Sequence, residues 1–115
     1  MYDTGNIFAK ILRGEAPAKK LFENAHAVVI DNLYPKAKVH LLALPKGGYE
    51  NFTEFAARAT DEEKLAWVEA IAFATRGLED DGYRLVVNTG RFGGQSVMHL
   101  HMHILGGEAL RDEGL

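Results

Sequence analysis

The stretch of sequence that best indicates the fold lies near the end of the chain and runs His99-Leu100-His101-Met102-His103-Ile104-Leu105. Histidine alternates with apolar residues, and a period of two is that of a β-strand, in which successive side chains point to opposite faces. The pattern therefore predicts a strand over residues 99–105. The three imidazoles would share one face, and the apolar side chains would enter a core on the other. In a helix the same spacing would scatter the histidines around the axis.

Glycine-rich segments lie on both sides of this predicted strand. The loop before it runs Gly90-Arg91-Phe92-Gly93-Gly94-Gln95-Ser96, and Gly106-Gly107 follows it. A glycine-rich loop can offer backbone N–H groups to phosphate oxygens, and Gln95 and Ser96 add side-chain donors. A row of imidazoles behind such a loop indicates a site for an anionic ligand.

The chemistry of histidine allows three interpretations of this site. A neutral imidazole at the middle position, His101, can attack phosphorus while its neighbours stabilise the charge on the oxygens. A zinc site built from His99, His101 and His103 is the alternative, although all three would have to converge on the ion and no carboxylate lies in the motif to complete a tetrahedron. The third interpretation is an exposed strand face that happens to carry histidines. We favour the phosphate site.

Length and composition are those of one globular domain. The chain has 115 residues, of which 47% are hydrophobic and 25% charged, and we expect a single domain over residues 1–115 with a polar tail from about residue 108. The absence of cysteine excludes disulfides, thiolate nucleophiles and cysteine zinc sites.

The charge and the N-terminal sequence limit the partners and the location. A net charge of −3 argues against binding to nucleic acid or to an anionic membrane, both of which favour a basic face. No secretory leader and no apolar stretch of membrane-spanning length is visible in the sequence. We therefore expect a cytoplasmic protein with neither a nucleic-acid partner nor a membrane partner.

The remaining sequence predicts a mixed α+β fold. Five strands are predicted, over residues 19–23, 26–31, 38–44, 83–88 and 99–105. Short connections between most of them favour a largely antiparallel sheet. The strand over 38–44 is apolar on both faces, which indicates a central position, and His40 within it is interpreted as a core histidine rather than a catalyst.

One long helix and one or two short helices complete the prediction. Thr60 and Glu63 form a capping-box pattern that starts the long helix, which we expect to end near Glu79. Its predicted buried stripe is Leu65, Val68, Ile71, Ala72 and Leu78. Short helices are predicted over residues 51–59 and near the N-terminus through residues 10–12, the latter capped by Asp3, Thr4 or Asn6. Phe8 and Ile11 on it belong either to the core or to one wall of a base-binding pocket.

The chain resembles the histidine triad (HIT) family, and in particular its Hint-type branch. The family motif is His-φ-His-φ-His-φ-φ, in which φ is apolar, and residues 99–105 match it fully. The likeness extends over nearly the whole chain to about Gly107. The other matching segments are Asn6–Ile11, Gly14-Glu15, Pro17-Ala18-Lys19, Val39-His40 through Pro45-Lys46, Val86-Val87-Asn88, Gly93–Val97 and Gly106-Gly107.

This resemblance implies a fold and an activity. The fold would be a five-stranded antiparallel sheet with helices packed on it, and two protomers would form a homodimer with a continuous sheet. The Hint-type branch cleaves the P–N bond of purine nucleoside 5′-phosphoramidates such as adenosine 5′-phosphoramidate or lysyl-AMP. The implied partners are therefore purine nucleoside monophosphate derivatives, and neither a cofactor nor a metal is implied.

The resemblance also assigns site residues. His101 would be the nucleophile and would form a nucleotidyl-imidazole that water then opens, His99 would orient it, and His103 would contact the phosphate region. Ser96 would lie near the leaving group. The implied nucleotide-binding residues are Phe8, Ile11, Ile30, Asp31, Asn32, Leu33, Asn88, Gly94, Gln95, Ser96, His101 and His103.

Three positions depart from the family pattern. A fourth histidine that often follows the Pro-Lys pair falls on Gly48 here, so either its help with phosphate or proton transfer is missing or a group such as Tyr49 acts instead. The carboxylate that usually holds the ribose hydroxyls falls on Asn32, with Asp31 beside it, and the tail lacks the tryptophan found near the end of many Hint-type relatives. The changes at Gly48 and Asn32 keep a second function open: a purine-nucleotide-binding regulatory module with weak or no catalysis.

Overall fold

A computed structural model describes residues 1–111, so the last four residues of the predicted polar tail lie outside the described residues. The described part contains three helices and five strands. In chain order they are α1 (Ile7–Leu12), β1 (Lys20–Glu23), β2 (Ala27–Asp31), β3 (Val39–Pro45), α2 (Phe52–Arg58), α3 (Asp61–Thr75), β4 (Arg84–Val86) and β5 (Met102–Gly106). No helix in this part of the chain is both long enough and apolar enough to cross a membrane.

The five strands form one antiparallel sheet in the order β1-β2-β3-β5-β4. This confirms the predicted α+β class and the central position of β3, which pairs with β2 on one side and β5 on the other. Leu42 of β3 lies opposite His103 of β5 in this register. The two edge strands are β1 and β4.

The two faces of the sheet are covered by different helices. The long helix α3 packs on one face, where Trp67 donates its indole N–H to the carbonyl of Ala43 at 3.1 Å. Leu100 and Ile104 are buried in this core, as the alternation predicts. On the other face Phe8 and Ile11 of α1 pack with buried residues of β2 and β3, which are Val28, Ile30, Leu42 and Leu44. The shorter α1 leaves part of that face open, and the site lies there.

Helix α3 differs from its prediction in length and in orientation. It starts with the predicted capping box between Thr60 and Glu63, but it ends at Thr75 and not near Glu79. Leu65 and Val68 of the predicted stripe are 69% and 59% exposed, and the exposed Ala72 also lies outside the core. Ile71 and Leu78 of the stripe are half-buried and pack against the core as predicted. The fully buried positions of the helix are Trp67, Ala70, Ala74 and Thr75. Small alanines allow the helix to lie close to the sheet, and the indole hydrogen bond fixes its rotation.

The predicted histidine strand is shorter than expected. Pairing begins at Met102, and residues 99–101 precede β5 in an irregular conformation. The backbone N–H of Leu100 donates to the carbonyl of Tyr49 at 2.8 Å instead of to a neighbouring strand. The predicted strand over residues 83–88 is likewise reduced to β4, because residues after Val86 turn into the glycine-rich loop.

Candidate active site

A cavity of about 350 Å³ opens on the α1 side of the sheet. Nine of the predicted site residues line it: Phe8, Ile11, Ile30, Asp31, Asn32, Leu33, Ser96, His101 and His103. Sequence analysis missed six further lining residues, which are Ile7, Pro17, Ala18, Tyr34, Leu42 and Val97. Its walls are mainly apolar, and the imidazoles, Ser96 and Asp31 supply polar groups. Such a lining is typical of pockets that hold a flat organic ligand with a few fixed polar contacts.

The ring of His101 is buried, and its tautomer is set by the backbone. Its Nδ1 lies 2.7 Å from the carbonyl oxygen of His99, so Nδ1 carries the hydrogen and donates it. The neutral ring then has its lone pair on Nε2, and that atom has no hydrogen-bond partner among the described residues. Burial lowers the pKa of His101, an effect that the bond to the His99 carbonyl partly opposes. A neutral, unpartnered imidazole nitrogen is the form that acts as a nucleophile.

The orientation of His103 is set by a chain of hydrogen bonds from β3. The backbone N–H of Lys36 donates to Nδ1 of His40 at 2.9 Å, so the hydrogen of the neutral His40 ring lies on Nε2. That Nε2 lies 2.9 Å from Nδ1 of His103 and donates to it. The hydrogen of the neutral His103 ring therefore lies on its own Nε2. His101 and His103 are adjacent, with ring centroids 5.1 Å apart, so a lone pair and an N–H donor stand side by side.

Burial keeps the rings of His103 and His40 neutral near pH 7. It lowers the pKa of His103 to about 4, and the neighbouring imidazoles of His101 and His40 lower it further. Burial also lowers the pKa of His40, with a smaller contribution from the charge of Lys36 that Asp31 opposes. The site therefore holds neutral imidazoles that act as hydrogen-bond donors and acceptors.

His40 has a larger role than the sequence interpretation gave it. It is a buried histidine, as expected, but it bonds directly to a histidine of the motif. The alternation of side chains along β3 shows on which face His40 lies, and this is the sequence signal for its contact with the motif. His40 lies two residues before Leu42 and hence on the same face, and Leu42 lies opposite His103. Only the strand pairing, which the sequence does not specify, brings the two histidines together.

His99 differs from the other two histidines because its ring lies outside the cavity lining. It is fully buried, its Nε2 donates to the carbonyl of Pro45 at 2.8 Å, and its Nδ1 lies 2.5 Å from the hydroxyl of Tyr2. Burial lowers its pKa to about 4. Both ring nitrogens of His99 are engaged, so its ring does not contact a ligand. His99 contributes to the site through its backbone carbonyl, which orients His101.

These bonds bear on the zinc hypothesis. A site made of the three triad histidines needs one free nitrogen on each ring, and His99 has none. Within residues 1–111, no group of three His, Asp or Glu side chains is arranged to hold a metal ion. The donor set therefore does not fit zinc.

The glycine-rich loop is held mainly by its own hydrogen bonds. The backbone N–H groups of Gly94 and Gln95 donate to Arg91 and Gly90 at 3.1 and 3.0 Å. The amide nitrogen of Gln95 donates to the carbonyls of Glu50 and Val97, and its oxygen accepts from Gly90. The expectation that the Gln95 side chain offers donors to phosphate is therefore wrong, because its donors are already engaged.

Two of the remaining loop residues face the cavity. Ser96 and Val97 line it, and their backbone N–H groups donate to no other described residue. Asn88 lies outside this lining but lines an adjoining cavity together with His103, and its side-chain N–H donates to the carbonyl of Gly93 at 2.7 Å. Gly94 is also absent from the lining and has a positive φ of 79°, which glycine adopts without strain. Of the predicted loop residues, the structure brings only Ser96 to the cavity with free donors.

The side-chain oxygen of Asn32 is already engaged by the backbone, and only its amide nitrogen is left for a ligand contact. Its Oδ1 accepts from the backbone N–H of Tyr34 at 2.9 Å, and its Nδ2 lies 3.2 Å from Nε2 of His40. Because that Nε2 carries the hydrogen, the second contact joins two donors and is not a hydrogen bond. The neighbouring Asp31 is exposed and is the carboxylate in the cavity lining.

The structure explains the glycine at position 48. A Cβ atom there would lie 3.0 Å from the ring of Tyr2, so the tyrosine ring covers this position. Tyr49 does not act in place of the missing histidine, because its hydroxyl donates to the carboxylate of Glu63 at 2.8 Å and lies outside the cavity lining. Tyr2 is a site residue that sequence analysis missed, and no local pattern marks it.

Comparisons with known proteins agree with this architecture. The family model of the HIT domain matches residues 13–110. An uncharacterized 13.2 kDa HIT-like protein of Azospirillum brasilense is 41% identical over 111 residues, which cover 95% of this chain and 91% of that protein.

Solved structures give the same result. A histidine triad protein from Clostridium difficile superposes with a TM-score of 0.82 at 32% identity, covering 97% of this chain and 98% of that one. A HIT family hydrolase from Legionella pneumophila superposes with a TM-score of 0.79 at 32% identity, covering 95% and 98% of the two chains. The family model and the 41% identical relative each span most of the chain, and this protein belongs to the HIT family.

Proposed function

We propose that this protein is a hydrolase that cleaves the P–N bond of purine nucleoside 5′-phosphoramidates through a covalent intermediate on His101. The observation that carries the proposal is the state of the His101 ring. Its Nδ1 is fixed as a donor to the His99 carbonyl, and its Nε2, in the wall of an apolar cavity, has no partner among residues 1–111. A nucleophile with a fixed tautomer and a binding pocket beside it are the two requirements of this reaction.

The proposed reaction has two displacements at phosphorus. In the first, Nε2 of His101 forms a bond to phosphorus while the P–N bond of the substrate breaks, and the leaving amine takes up a proton. Ser96 in the cavity lining supplies that proton from its hydroxyl, while the Nε2–H of the neutral His103 ring stays in place as a hydrogen-bond donor to the phosphate. In the second, water attacks phosphorus, the His101–phosphorus bond breaks and the nucleoside monophosphate leaves. The proton from water returns to the donor group.

Several features of the site support this assignment over other reactions. The free Nε2–H of His103 and the N–H groups of Ser96 and Val97 are neutral donors that can stabilise negative charge on the phosphate oxygens. The cavity walls formed by Phe8 and Ile11 suit a flat base. The Legionella pneumophila protein of similar structure is named a HIT family hydrolase. The net charge of −3 favours a small substrate over binding to nucleic acid or to an anionic membrane.

The test is release of AMP from adenosine 5′-phosphoramidate by the wild type and by His101→Ala. We expect turnover by the wild type and a loss of at least about 1000-fold in the variant, because removal of a nucleophile typically costs at least this much. Binding of AMP should survive. His26→Ala is the matched control, since His26 lies outside the site, and it should keep wild-type turnover. Turnover by His101→Ala at the wild-type rate would refute the covalent mechanism.

A second candidate function is a purine-nucleotide-binding regulatory module. The observation that favours it is Asn32, a neutral amide at the position where the family resemblance puts a carboxylate, and its oxygen already accepts from the backbone N–H of Tyr34. This candidate predicts that the wild type binds AMP but releases none from the phosphoramidate. The assay above therefore separates the two functions.

We also propose a homodimer that continues the sheet across β4. This edge strand pairs with β5 on one side, and no other described strand pairs with its second side. Leu85 of β4 is 41% exposed, and the exposed Leu65 and Val68 of α3 add apolar area. Unpaired strand edges and exposed apolar patches are features of interfaces, and a second copy of this chain would cover both.

A further inference from the structure

Tyr2, almost at the N-terminus, contacts the first histidine of the triad. Its hydroxyl lies 2.5 Å from Nδ1 of His99, and the two rings meet edge to face with centroids 5.7 Å apart. Its ring also lies over Gly48, where any larger residue would push it away. The contact is therefore held at both ends of the side chain, at the hydroxyl by hydrogen bonding and at the ring by packing.

The direction of each hydrogen bond around Tyr2 follows from its neighbours. Nε2 of His99 must carry the hydrogen, because its partner, the carbonyl of Pro45, can only accept. Nδ1 of His99 is then the acceptor, and the Tyr2 hydroxyl donates to it. The oxygen of that hydroxyl accepts in turn from the Asn6 amide at 2.9 Å, while the Asn6 oxygen caps α1 at Ala9. Asn6, Tyr2 and His99 thus form one chain from the start of α1.

This chain ends at the nucleophile. His99 is fully buried and its ring is fixed between Pro45 and Tyr2. The backbone carbonyl of the same residue accepts the Nδ1–H of His101 at 2.7 Å. Movement of the His99 ring would shift this carbonyl, and with it the direction of the His101 Nε2 lone pair. Tyr2 itself is absent from the cavity lining, so it does not contact a bound ligand.

We propose that Tyr2 is a positioning residue for His101: its hydroxyl holds the His99 ring, and the His99 carbonyl holds the nucleophile. The expected effect on kcat rests on the proposed function. The expected effect on the hydrogen bonds of His99 and His101 does not. The aromatic ring of Tyr2 takes the space that a side chain at position 48 would otherwise occupy. The N-terminal segment thus contributes to the orientation of the catalytic histidine.

The test compares the wild type with Tyr2→Phe, which keeps the ring over Gly48 and removes only the hydroxyl. We expect kcat for the phosphoramidate to fall about tenfold with KM unchanged, less than the roughly 100-fold that a 1 Å misplacement of a reacting group costs. Tyr83→Phe is the matched control, because Tyr83 lies outside the cavity and its hydroxyl has no partner among the described residues. It should keep the wild-type kcat.

A second readout does not depend on activity. In ¹⁵N NMR of the histidine rings, the chemical shift of His99 Nδ1 should be that of a hydrogen-bonded acceptor in the wild type. In Tyr2→Phe it should move to the value of an acceptor without a hydrogen bond. The Nδ1–H proton of His101 should exchange with solvent faster in that variant. A decrease in kcat together with these changes supports the proposal, and an unchanged kcat in an active enzyme overturns it.

The same pair of readouts separates the two proposals. If the wild type releases no AMP, the proposed function fails, and the NMR comparison alone decides the role of Tyr2. In that case a shifted His99 resonance with faster exchange at His101 supports the positioning role. Unchanged resonances overturn it whatever the activity, because a fall in kcat without them would not act through His99.

Discussion

At the scale of single residues, the three histidines of the motif are held by different partners and so have different properties. Within the described part of the chain, His99 has both ring nitrogens engaged, His101 has an acceptor nitrogen without a partner, and His103 has a donor nitrogen without one. The partners are two backbone carbonyls, a tyrosine and a buried histidine. Because a neutral imidazole has one donor and one acceptor nitrogen, fixing one of them fixes the other. The sequence repeat is thus converted into three chemically distinct groups.

This assignment makes a prediction about the pH dependence of catalysis. Attack by His101 requires the neutral ring, and burial lowers its pKa below the ordinary 6.5. The acid limb of kcat/KM, which reports the pKa of the free enzyme, should therefore lie below pH 6.5. Activity is then flat from that limb up through neutral pH. The measurement is kcat/KM for adenosine 5′-phosphoramidate between pH 4.5 and 8. An acid limb with a midpoint at or above pH 6.5 would contradict a nucleophile whose pKa is lowered by burial.

At the scale of elements, the sequence predicts strands and helix starts well and the rotation of a helix poorly. The alternation of histidine and apolar residues correctly places Leu100 and Ile104 in the core. The capping box at Thr60 correctly starts α3. The predicted buried stripe of α3 is correct at Ile71 and Leu78, which pack against the core, but wrong at Leu65 and Val68. The prediction followed the larger aliphatic residues, whereas Trp67 and two alanines are the most buried positions. An indole hydrogen bond to a strand carbonyl has no signature in the sequence of the helix.

The aliphatic residues left exposed on α3 make a prediction about assembly. Val68 is 59% exposed and Leu65 is 69% exposed on the helix, and the edge of β4 is unpaired by any other described strand. If a second copy covers them, Val68→Glu should shift the protein from dimer to monomer in sedimentation analysis, because a buried unpaired charge is costly. Ala57→Glu adds the same charge to an exposed position on α2 and should leave the dimer intact. A monomeric wild type at micromolar concentration would contradict the proposed interface.

At the scale of the whole molecule, the two faces of the sheet have different roles. One face carries α3 and most of the larger core, and the other carries α1, the cavity and the histidines. The α+β class and the central strand β3 follow from composition and hydrophobic patterns, which are local properties. The contacts that assign roles to residues are not local. Tyr2 and His99 are 97 positions apart in the sequence and His40 and His103 are 63 apart, so neither pair could be predicted without the strand order.

Burial of the neutral histidines makes the stability of the whole molecule depend on pH. The pKa of the fully buried His99 is about 4 in the folded chain, whereas an unfolded chain has the ordinary histidine value of 6.5. Between these values the unfolded chain binds a proton that the folded chain does not, so the free energy of unfolding falls as the pH falls from 6.5 towards 4. Above 6.5 this contribution is complete and constant. For His99 alone the loss between pH 7.5 and pH 5 is about 2 kcal/mol.

The measurement is urea unfolding of the wild type and of His99→Gln at pH 7.5 and pH 5. The wild type should lose at least about 2 kcal/mol on acidification, and His99→Gln should lose about 2 kcal/mol less than the wild type, since glutamine does not titrate. His103→Gln should reduce the pH dependence by a smaller amount, because its half-buried ring is partly screened by solvent. The comparison uses differences between two pH values, so a general destabilisation by either substitution cancels. Equal pH dependence in the wild type and His99→Gln would mean that His99 is protonated in the folded chain at pH 5, and its bonds to Pro45 and Tyr2 would then have to be reassigned.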